Sequence, residues 1–428
     1  MVKIPYILGM NARDQLFCSL NSLDAKRFGF SKIRAKEFLR KHGIGIASLY
    51  AVLTSPEEIR TFDWKSIYSG FVIKPSNGSA GKGVLVIKEY NKRQKAWQDV
   101  EGKYYTEDDL RFHASNILDG QYSTWGSFPN VIIEERVPIH PDLEQYVQYG
   151  TPDVRVIVFN KIPVMAMTRL PTKESGGRAN LDQGAIGLGI DMGTGKTTYG
   201  VSGKKKVFRF FPGAQQSTAG IQIPFWMDVL KTAVRAANAT GLTYMGADIF
   251  VHPEKGPIIA EVNAYPGLSI QVANQAGLRK RLERIEDIEA RNVNHAVKIG
   301  QSLFAETYPL ESEGDVTVIG PKEEVEIYGE HKRTKRGIAL INTAREWSAI
   351  AYGTAKELGL ADMNQVLWTE YAEGSGKEVV VQVKYKLHGH VKTTAMVVSK
   401  RLNEGKYILH LGRRDLSGFL VSMQRSEA

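Results

Sequence analysis

A glycine-rich loop lies between two predicted β-strands, and it constrains the fold more than any other feature of the sequence. The strands are predicted over 71–74 and 84–90, and the loop between them reads SNGSAGKG. Gly78, Gly81 and Gly83 let backbone N–H groups approach an anion without obstruction from a Cβ atom. Because a strand and not a helix follows the loop, a Walker A arrangement is excluded and a hairpin over nucleotide phosphates is favoured. A flexible surface hairpin is the alternative.

Two other features bear on phosphate binding. Lys74 ends the first strand, where its ammonium group can reach a phosphate, and Ser79 lies in the loop itself. The stretch GIDMGTGKT at 189–197 ends like a Walker A motif, but Ile190 occupies the position of the required first glycine and no helix pattern follows. We therefore predict a mobile loop between strands at 189–197 and reject it as a phosphate loop.

Oxygen-donor side chains lie on two further predicted strands, near 246–251 and 257–262. Asp248 is on the first strand, whereas Glu261 and Asn263 are two residues apart on the second and therefore point to one face. Three such donors suit Mg²⁺ bound together with phosphate oxygens and water, with Mn²⁺ as a substitute. The alternative is an edge strand with solvated carboxylates, which the apolar neighbours of Glu261 argue against.

Helices and strands elsewhere follow from apolar periodicity and from helix start and stop signals. Helices are predicted over 31–42, 226–240 and 286–306, the second of them ended by Gly241. The runs VIIEERV and VRVIVF predict two more strands.

Composition and charge exclude several classes of protein. With 43% hydrophobic and 24% charged residues among 428, the chain is not intrinsically disordered. No run approaches the roughly 18–20 apolar residues of a membrane span, and Cys18 alone cannot form an internal disulfide, so we expect a cytoplasmic protein without a membrane partner. The formal net charge is +10, but the densest basic cluster, 332–336, contains no aromatic residue for base stacking, so nucleic acid is not the expected partner.

In type and order, these segments resemble the ATP-grasp superfamily and, more narrowly, the α-L-glutamate ligases and related ribosomal-protein-modifying ligases. The matching segments, between about residues 30 and 285, are KPSNGSAGKGVLVI, VIIEERV, DVR, RANLDQGAIG, GADIF and GPIIAEVNAYPGL. The resemblance implies an α+β fold in which two subdomains clamp ATP. It also implies a ligase that uses ATP and Mg²⁺ to join a carboxylate to an amine through an acyl phosphate. The expected substrates are an amino acid such as glutamate and a peptide or protein.

The resemblance also assigns roles to individual residues. The residues expected at the nucleotide are the phosphate contacts Lys32, Lys74, Gly78, Ser79, Gly81 and Gly83, the adenine contacts Glu134, Glu135 and Val137, and Asn180, which could also meet the substrate. The basic residues expected at the acyl phosphate or the acceptor are Arg155, Arg169 and Arg178. The expected metal ligands are Asp248, Glu261 and Asn263.

The predicted domains are a short N-terminal segment, 1–30, the ATP-grasp domain, 31–310, and a β-rich domain, 315–428, after a polar linker near 310–315. Glutamate ligases usually carry a full α/β domain before the first ATP lysine, whereas 31 residues precede Lys32 here, so the substrate stays open. A nucleotide-binding scaffold whose C-terminal domain binds a partner is the alternative function. A kinase acting on an alcohol is less favoured, because the sequence offers no base for the hydroxyl.

The β-rich C-terminal part resembles the retropepsin-like domains found near such ligases. The matching segments include ALINTAR at 339–345 and LHLGRRDL at 409–416. In that family an aspartate and a glycine stand where this chain has Asn342 and Ala344. The resemblance therefore implies a mainly β barrel without catalytic activity, used for binding or for homo-oligomer formation. A generic β-barrel is the alternative.

We predict that the chain has no aspartic peptidase activity. A carboxylate must take the proton of the catalytic water, and the amide of Asn342 does not titrate in a useful range. Self-association would not restore the acid, because both copies would carry Asn342. Incubation of the purified chain with a peptide library should give no cleavage. Cleavage that is lost in Asn342→Ala would contradict this prediction.

Overall fold

The computed structural model describes residues 6–67, 69–77, 81–122, 129–147, 149–203, 206–305, 317–372 and 376–422. The chain forms two compact units, Met1–Asp287 and Ile288–Ala428. The predicted loop residues Gly78 and Ser79 and the predicted linker 310–315 lie outside the described residues. In the described part of the chain, no helix is both long and apolar enough to cross a bilayer.

The first unit opens with a helical segment that is bonded into it. Its helices are α1 (Met10–Ala12), α2 (Leu23–Phe30) and α3 (Lys32–Lys41). The Asn21 amide donates to the backbone carbonyl of Tyr244 (2.8 Å) and accepts from its N–H (3.0 Å). The Gln271 amide likewise accepts from the N–H of Leu8 (2.8 Å) and donates to its carbonyl (3.1 Å). The segment predicted at the N-terminus therefore packs as part of the first unit.

The first sheet of this unit packs one face into a hydrophobic core and carries charged residues on the other. Its elements are β1 (Leu49–Leu53), α4 (Pro56–Thr61), β2 (Phe71–Pro75), β3 (Leu85–Asn91), β4 (Ala96–Asp99), β5 (Tyr104–Tyr105), α5 (Glu107–Leu118) and β6 (Val131–Glu135). The six described strands are antiparallel in the order β1-β6-β2-β3-β4-β5. Phe71, Ile73 and Trp97 lie in the buried core. Because side chains alternate along a strand, Lys74 and Glu134 point to the opposite face.

The second sheet of this unit is also antiparallel. Its elements are α6 (Pro141–Glu144), β7 (Asp153–Phe159), β8 (Ile162–Leu170), β9 (Ile186–Ile190), β10 (Thr197–Ser202), β11 (Val207–Phe208), α7 (Trp226–Thr240), β12 (Tyr244–His252), β13 (Gly256–Asn263), α8 (Ile270–Ala273) and α9 (Leu278–Glu283). The described strands run in the order β11-β10-β9-β8-β7-β12-β13. Helix α7 packs on β7, β12 and β13 and ends at Gly241, whose φ of +69° suits a helix end. The helix predicted over 226–240 is thus confirmed.

The stretch that ends like a Walker A motif is the turn between β9 and β10. The Asp191 carboxylate accepts from the N–H of Gly193 (3.2 Å), and the Trp226 indole donates to the carbonyl of Met192 (3.0 Å). An antiparallel strand follows the turn, which confirms that 189–197 is not a phosphate loop. The stretch thus lies between two strands, as predicted.

The second unit begins with a helix that is shorter than predicted. Helix α10 covers Val293–Phe304, whereas the prediction was 286–306. The Asn292 side chain accepts from the N–H of His295 (2.9 Å) and caps the helix, which sets its start. His295 Nε2 lies 3.0 Å from the carbonyl oxygen of Val366 in the same unit. The division between the two units therefore falls before α10, earlier than the predicted linker.

A β-barrel makes up most of the second unit. Its elements are β14 (Thr317–Ile319), β15 (Lys322–Tyr328), β16 (Thr334–Ile341), β17 (Ala349–Ala351), α11 (Tyr352–Glu357), β18 (Val366–Ala372), β19 (Gly376–Leu387), β20 (His390–Ser399), β21 (Leu409–Leu411) and β22 (Phe419–Val421). Strand β15 pairs with both β16 and β19, which closes the described order β15-β16-β21-β17-β20-β19 into a barrel. The expected mainly β architecture is confirmed. Asn342 directly follows β16, and its side chain accepts from the N–H of Ala344 (3.2 Å).

Glu135 joins the two sheets of the first unit. It lies at the end of β6, and its carboxylate accepts from Lys255 Nζ (2.7 and 2.8 Å) on the β12–β13 turn and from the N–H of Ser48 (3.0 Å). Burial raises the pKa of Glu135, but the bonds from Lys255 and Ser48 outweigh it and lower this pKa to about 2. The carboxylate therefore stays ionised well below its ordinary range.

We predict that Glu135→Gln lowers the melting temperature at neutral pH and that the difference from wild type shrinks in acid. A group whose pKa is depressed on folding contributes stability above its unfolded pKa, 4.5, that is lost as pH falls toward 2. Thermal unfolding between pH 7 and pH 3 measures this window. Glu144→Gln, at an exposed position, is the matched control. A difference that does not change with pH would contradict the assignment.

Candidate active site

Three charged side chains meet on the face of the first sheet that is opposite its hydrophobic core. Lys74 from β2 donates to Oε1 of Glu134 on β6, and Lys36 Nζ from α3 lies 2.9 Å from Oε2 of the same carboxylate. Lys36 and Glu134 are only 3% and 4% exposed. Burial raises the pKa of Glu134, but the two ammonium groups outweigh it and keep the pKa below its ordinary value. The cluster holds two positive charges and one negative charge, so it attracts an anion.

Lys32 lies one helical turn before Lys36 on α3. Its N–H donates to the carbonyl of Ser76, at the start of the glycine-rich loop (3.4 Å). Burial lowers the pKa of Lys32, the carboxylate of Glu261 opposes that effect, and the ammonium of Lys74 adds to it. Lys32 is therefore within electrostatic reach of both sheets.

A small pocket separates α2 and α3 from β13. It is lined by Phe28, Gly29, Lys32, Ala35, Lys36, Leu39, Ile259, Ala260, Glu261 and Val262. Lys36 is absent from the residues that the sequence predicts at the site. The signal that could have found it is its spacing of four residues from Lys32, which puts both ammonium groups on one face of α3.

Four charged residues form a row on one face of the second sheet. The register pairs Arg155 with Asp248, and Asp153 with Arg169. Arg155 donates to both oxygens of Asp248 (both 2.7 Å). Arg169 donates to both oxygens of Asp153, and its Nη2 also lies 2.8 Å from Oδ2 of Asp248. The structure thus brings two predicted arginines and one predicted metal ligand together, with Asp153 as an additional member.

The charged groups in this row shift one another's pKa values. Burial raises the pKa of Asp248, but Arg155 and Arg169 outweigh it and hold the pKa well below the ordinary range. Burial also raises the pKa of Asp153, the guanidinium of Arg169 opposes this, and the charge of Asp248 adds to it. Two buried carboxylates and two guanidinium groups balance in charge, which is what makes their burial tolerable.

The predicted metal ligands lie on the same face. Glu261 stands directly opposite Asp248 in the β12–β13 register, and Asn263 is two residues along the same strand. Among the described residues, no group of three or more His, Cys, Asp or Glu side chains is placed to hold a metal by itself. Two carboxylates and one amide nevertheless supply the hard oxygen donors that Mg²⁺ takes together with phosphate and water. These residues therefore fit Mg²⁺ brought in by a nucleotide.

Two of these ligands already have protein partners. Both oxygens of Asp248 accept from guanidinium groups, as described above. The Asn263 side-chain oxygen accepts from the N–H of Tyr265 (2.8 Å), which fixes its orientation. Glu261 is partly exposed and lines the pocket between α3 and β13. Oδ2 of Asp248 accepts from both arginines, so a metal that took this oxygen would have to displace one guanidinium from it.

The described part of the glycine-rich loop is positioned by its neighbours. Gly81 and Gly83 have φ values of +71° and +72°, which L side chains rarely adopt. A Cβ atom at Gly83 would lie 2.6 Å from the ring of Tyr122. Arg178 donates to the carbonyl of Gly81 (3.3 Å), and His113 Nε2 lies 3.1 Å from the carbonyl oxygen of Gly83. Arg178, which the sequence predicts at the acceptor, thus contacts the glycine-rich loop.

The remaining predicted residues have structural partners. The carbonyl of Val137 accepts from the Thr151 hydroxyl, and its side chain is buried beside Ala47. Asn180 accepts from the N–H of Asp182 (3.0 Å) and caps a short 3₁₀ turn. Their contacts with nucleotide or substrate stay predictions, as does the adenine contact of Glu134 and Glu135.

Comparison with known proteins assigns the family. The sequence model of the sugar-transfer associated ATP-grasp family matches residues 8–287, more than half of the chain. The chain therefore belongs to the sugar-transfer associated ATP-grasp family. The match covers the first unit, and it confirms the expected ATP-grasp fold while leaving the glutamate-ligase subtype a prediction.

Individual relatives match shorter segments. The human trifunctional purine biosynthetic protein adenosine-3 is 36% identical over 105 residues, which are 24% of this chain and 10% of that protein. The Saccharomyces cerevisiae bifunctional purine biosynthetic protein ADE5,7 is 37% identical over 79 residues, 18% of this chain and 10% of that protein. The chain thus spans about a tenth of the length of these curated relatives.

Solved structures of ligases resemble this chain at lower sequence identity. The ATP-grasp ligase PsnB in complex with a phosphomimetic variant of its minimal precursor, Mg and ADP has a TM-score of 0.34 and 14% identity, over 61% of this chain and 59% of that one. The Bacillus anthracis D-alanine–D-alanine ligase in complex with ATP has a TM-score of 0.36 and 14% identity, over 68% and 71%.

We predict that Lys36→Met weakens ATP binding about tenfold to a hundredfold, because a hydrogen bond to a charged group contributes about 1.5–3 kcal/mol. Calorimetric titration with a non-hydrolysable ATP analogue measures the loss, and Lys74→Met should act in the same direction. The control is Lys36→Met combined with Glu134→Gln, which also removes the buried carboxylate that Lys36 and Lys74 share. If the double variant regains wild-type affinity, Lys36 only neutralises Glu134 and the assignment is wrong.

Proposed function

We propose that the first unit is an ATP-dependent ligase that joins a carboxylate to an amine through an acyl phosphate. The observation that carries this proposal is the meeting of opposite charges at one pocket. Lys32 and Lys36 line it from α3, and Glu261 lines it from β13. A triphosphate with its metal needs such a pair of surfaces, one cationic for the phosphate oxygens and one anionic for the cation. Family membership of residues 8–287 supports the same conclusion.

The lysines and the loop hold the phosphates in this proposal. Lys32, Lys36 and Lys74 present ammonium groups, and the positive-φ glycines of the loop present backbone N–H groups. Asp248, Glu261 and Asn263 would hold Mg²⁺. The ion would neutralise the charge that develops on the transferred phosphoryl group.

The chemistry proceeds in two displacements. A carboxylate oxygen of the first substrate attacks the γ-phosphorus of ATP, and ADP leaves. The amine nitrogen of the second substrate then attacks the acyl carbon, inorganic phosphate leaves, and one proton is released. Arg155 and Arg169 stand beside Asp248, where a forked guanidinium stabilises charge on an acyl phosphate by two bonds. Arg178 acts from the other side through the phosphate loop.

The substrates are proposed by class. We propose an amino acid such as glutamate as one partner and a peptide or protein as the other. The family description, which names sugar transfer, favours as a second candidate a substrate carried on a carbohydrate. The β-barrel of the second unit serves binding or self-association in this proposal, as a retropepsin-like module without its acid. A nucleotide-binding scaffold is the competing function.

We predict that Glu261→Gln abolishes turnover while the fold survives, because it removes one metal ligand at almost constant volume. Release of ADP and phosphate on addition of amino-acid and carboxylate mixtures measures turnover. Hydroxylamine added with the carboxylate alone should trap the acyl phosphate as a hydroxamate, which a kinase acting on an alcohol would not produce. Glu254→Gln, on the exposed turn of the same hairpin, is the matched control. Wild-type turnover in Glu261→Gln would refute the metal assignment.

A further inference from the structure

We propose that Asp153 is a positioning residue that holds Arg169 by a fork and thereby allows Arg169 to release Asp248 to Mg²⁺. The proposal rests on the proposed function, since it assumes that Asp248 is a metal ligand. Asp153 is buried on β7, two residues before Arg155, and both side chains point to the face that carries Asp248.

Arg169 is divided unequally between two carboxylates. Its Nε donates to Oδ1 of Asp153 (2.7 Å) and its Nη2 donates to Oδ2 of the same residue, so Asp153 holds the guanidinium by a fork. Only Nη2 reaches Asp248 (2.8 Å). Asp153 holds the guanidinium by two bonds and therefore sets its orientation. The bond to Asp248 comes from Nη2, which also bonds to Asp153.

Asp248 has the opposite arrangement. It takes two bonds from Arg155 and the single shared bond from Arg169, so three charge-assisted hydrogen bonds converge on its two oxygens. Oδ2 accepts two of these bonds, so a metal can take that oxygen only if Arg155 or Arg169 gives up its bond. If Arg169 breaks its bond to Asp248, it still has a carboxylate partner, because Asp153 remains bonded to it.

The effect of losing Asp153 follows from this geometry. Asparagine at this position keeps the volume but removes the charge, so Arg169 is left with Asp248 as its only carboxylate in the row. Arg169 then competes more strongly with the metal for Asp248. Partners that orient a metal ligand change metal affinity by about tenfold to a hundredfold when they are substituted.

The test is calorimetric titration of Mg²⁺ into the full chain in the presence of the non-hydrolysable analogue AMPPNP, so no turnover is needed. In Asp153→Asn we expect Mg²⁺ binding weaker by about tenfold to a hundredfold. Asp153→Asn combined with Arg169→Gln removes the competitor as well, and we expect wild-type or tighter Mg²⁺ binding. Asp191→Asn is the matched control, since Asp191 is buried at the β9–β10 turn of the same unit and accepts from a backbone N–H there.

The outcomes distinguish a failure of the proposed function from a failure of the role assigned to Asp153. If the wild-type chain binds no Mg²⁺ with AMPPNP, the proposed function fails. If the wild type binds Mg²⁺ and Asp153→Asn binds it equally well, the role of Asp153 is overturned. A double variant as weak as Asp153→Asn would also overturn it, because Asp153 would then act without Arg169. Thermal unfolding checks each variant. If Asp153→Asn does not fold, Mg²⁺ binding by the charge-balanced double variant that is weaker than that of wild type still overturns the proposal.

Discussion

The antiparallel register of β7, β12 and β13 is the constraint on which the candidate site depends. It sets Asp248 between Arg155 on one neighbouring strand and Glu261 on the other. A slip of one residue would turn all of these side chains to the opposite face. Buried ions cost several kcal/mol each unless they are paired, so the fold of this sheet needs the arginines as partners for its buried carboxylates.

The first sheet also pairs its buried charges, but there positive charges are in excess. There the buried carboxylate of Glu134 is paired with Lys36 and Lys74, and one positive charge is left over. The second sheet presents Glu261 toward the same space, within electrostatic reach of Lys32. Two surfaces of opposite charge therefore meet inside one unit, which is the arrangement that a nucleotide with its metal requires.

The second unit pairs several of its buried polar groups within itself. Closure of its strands into a barrel pairs backbone groups that open sheet edges would leave free. The buried carboxyl of Asp415 accepts from the Ser348 hydroxyl, and Ser348 in turn accepts from the N–H of Gly412 (2.9 Å). Asn342 is bonded to its own loop.

Local features were predictable from the sequence, because they depend on neighbours within a few residues. Apolar periodicity and Gly241 defined helix α7, and the glycine-rich loop and the strands that carry Asp248 and Glu261 lie where the sequence places them. Only the tertiary structure decided which charges pair across strands. Asp153 and Lys36 acquire their partners from residues that are 16 and 98 positions away, and no local pattern encodes strand register or the burial that makes such pairing necessary.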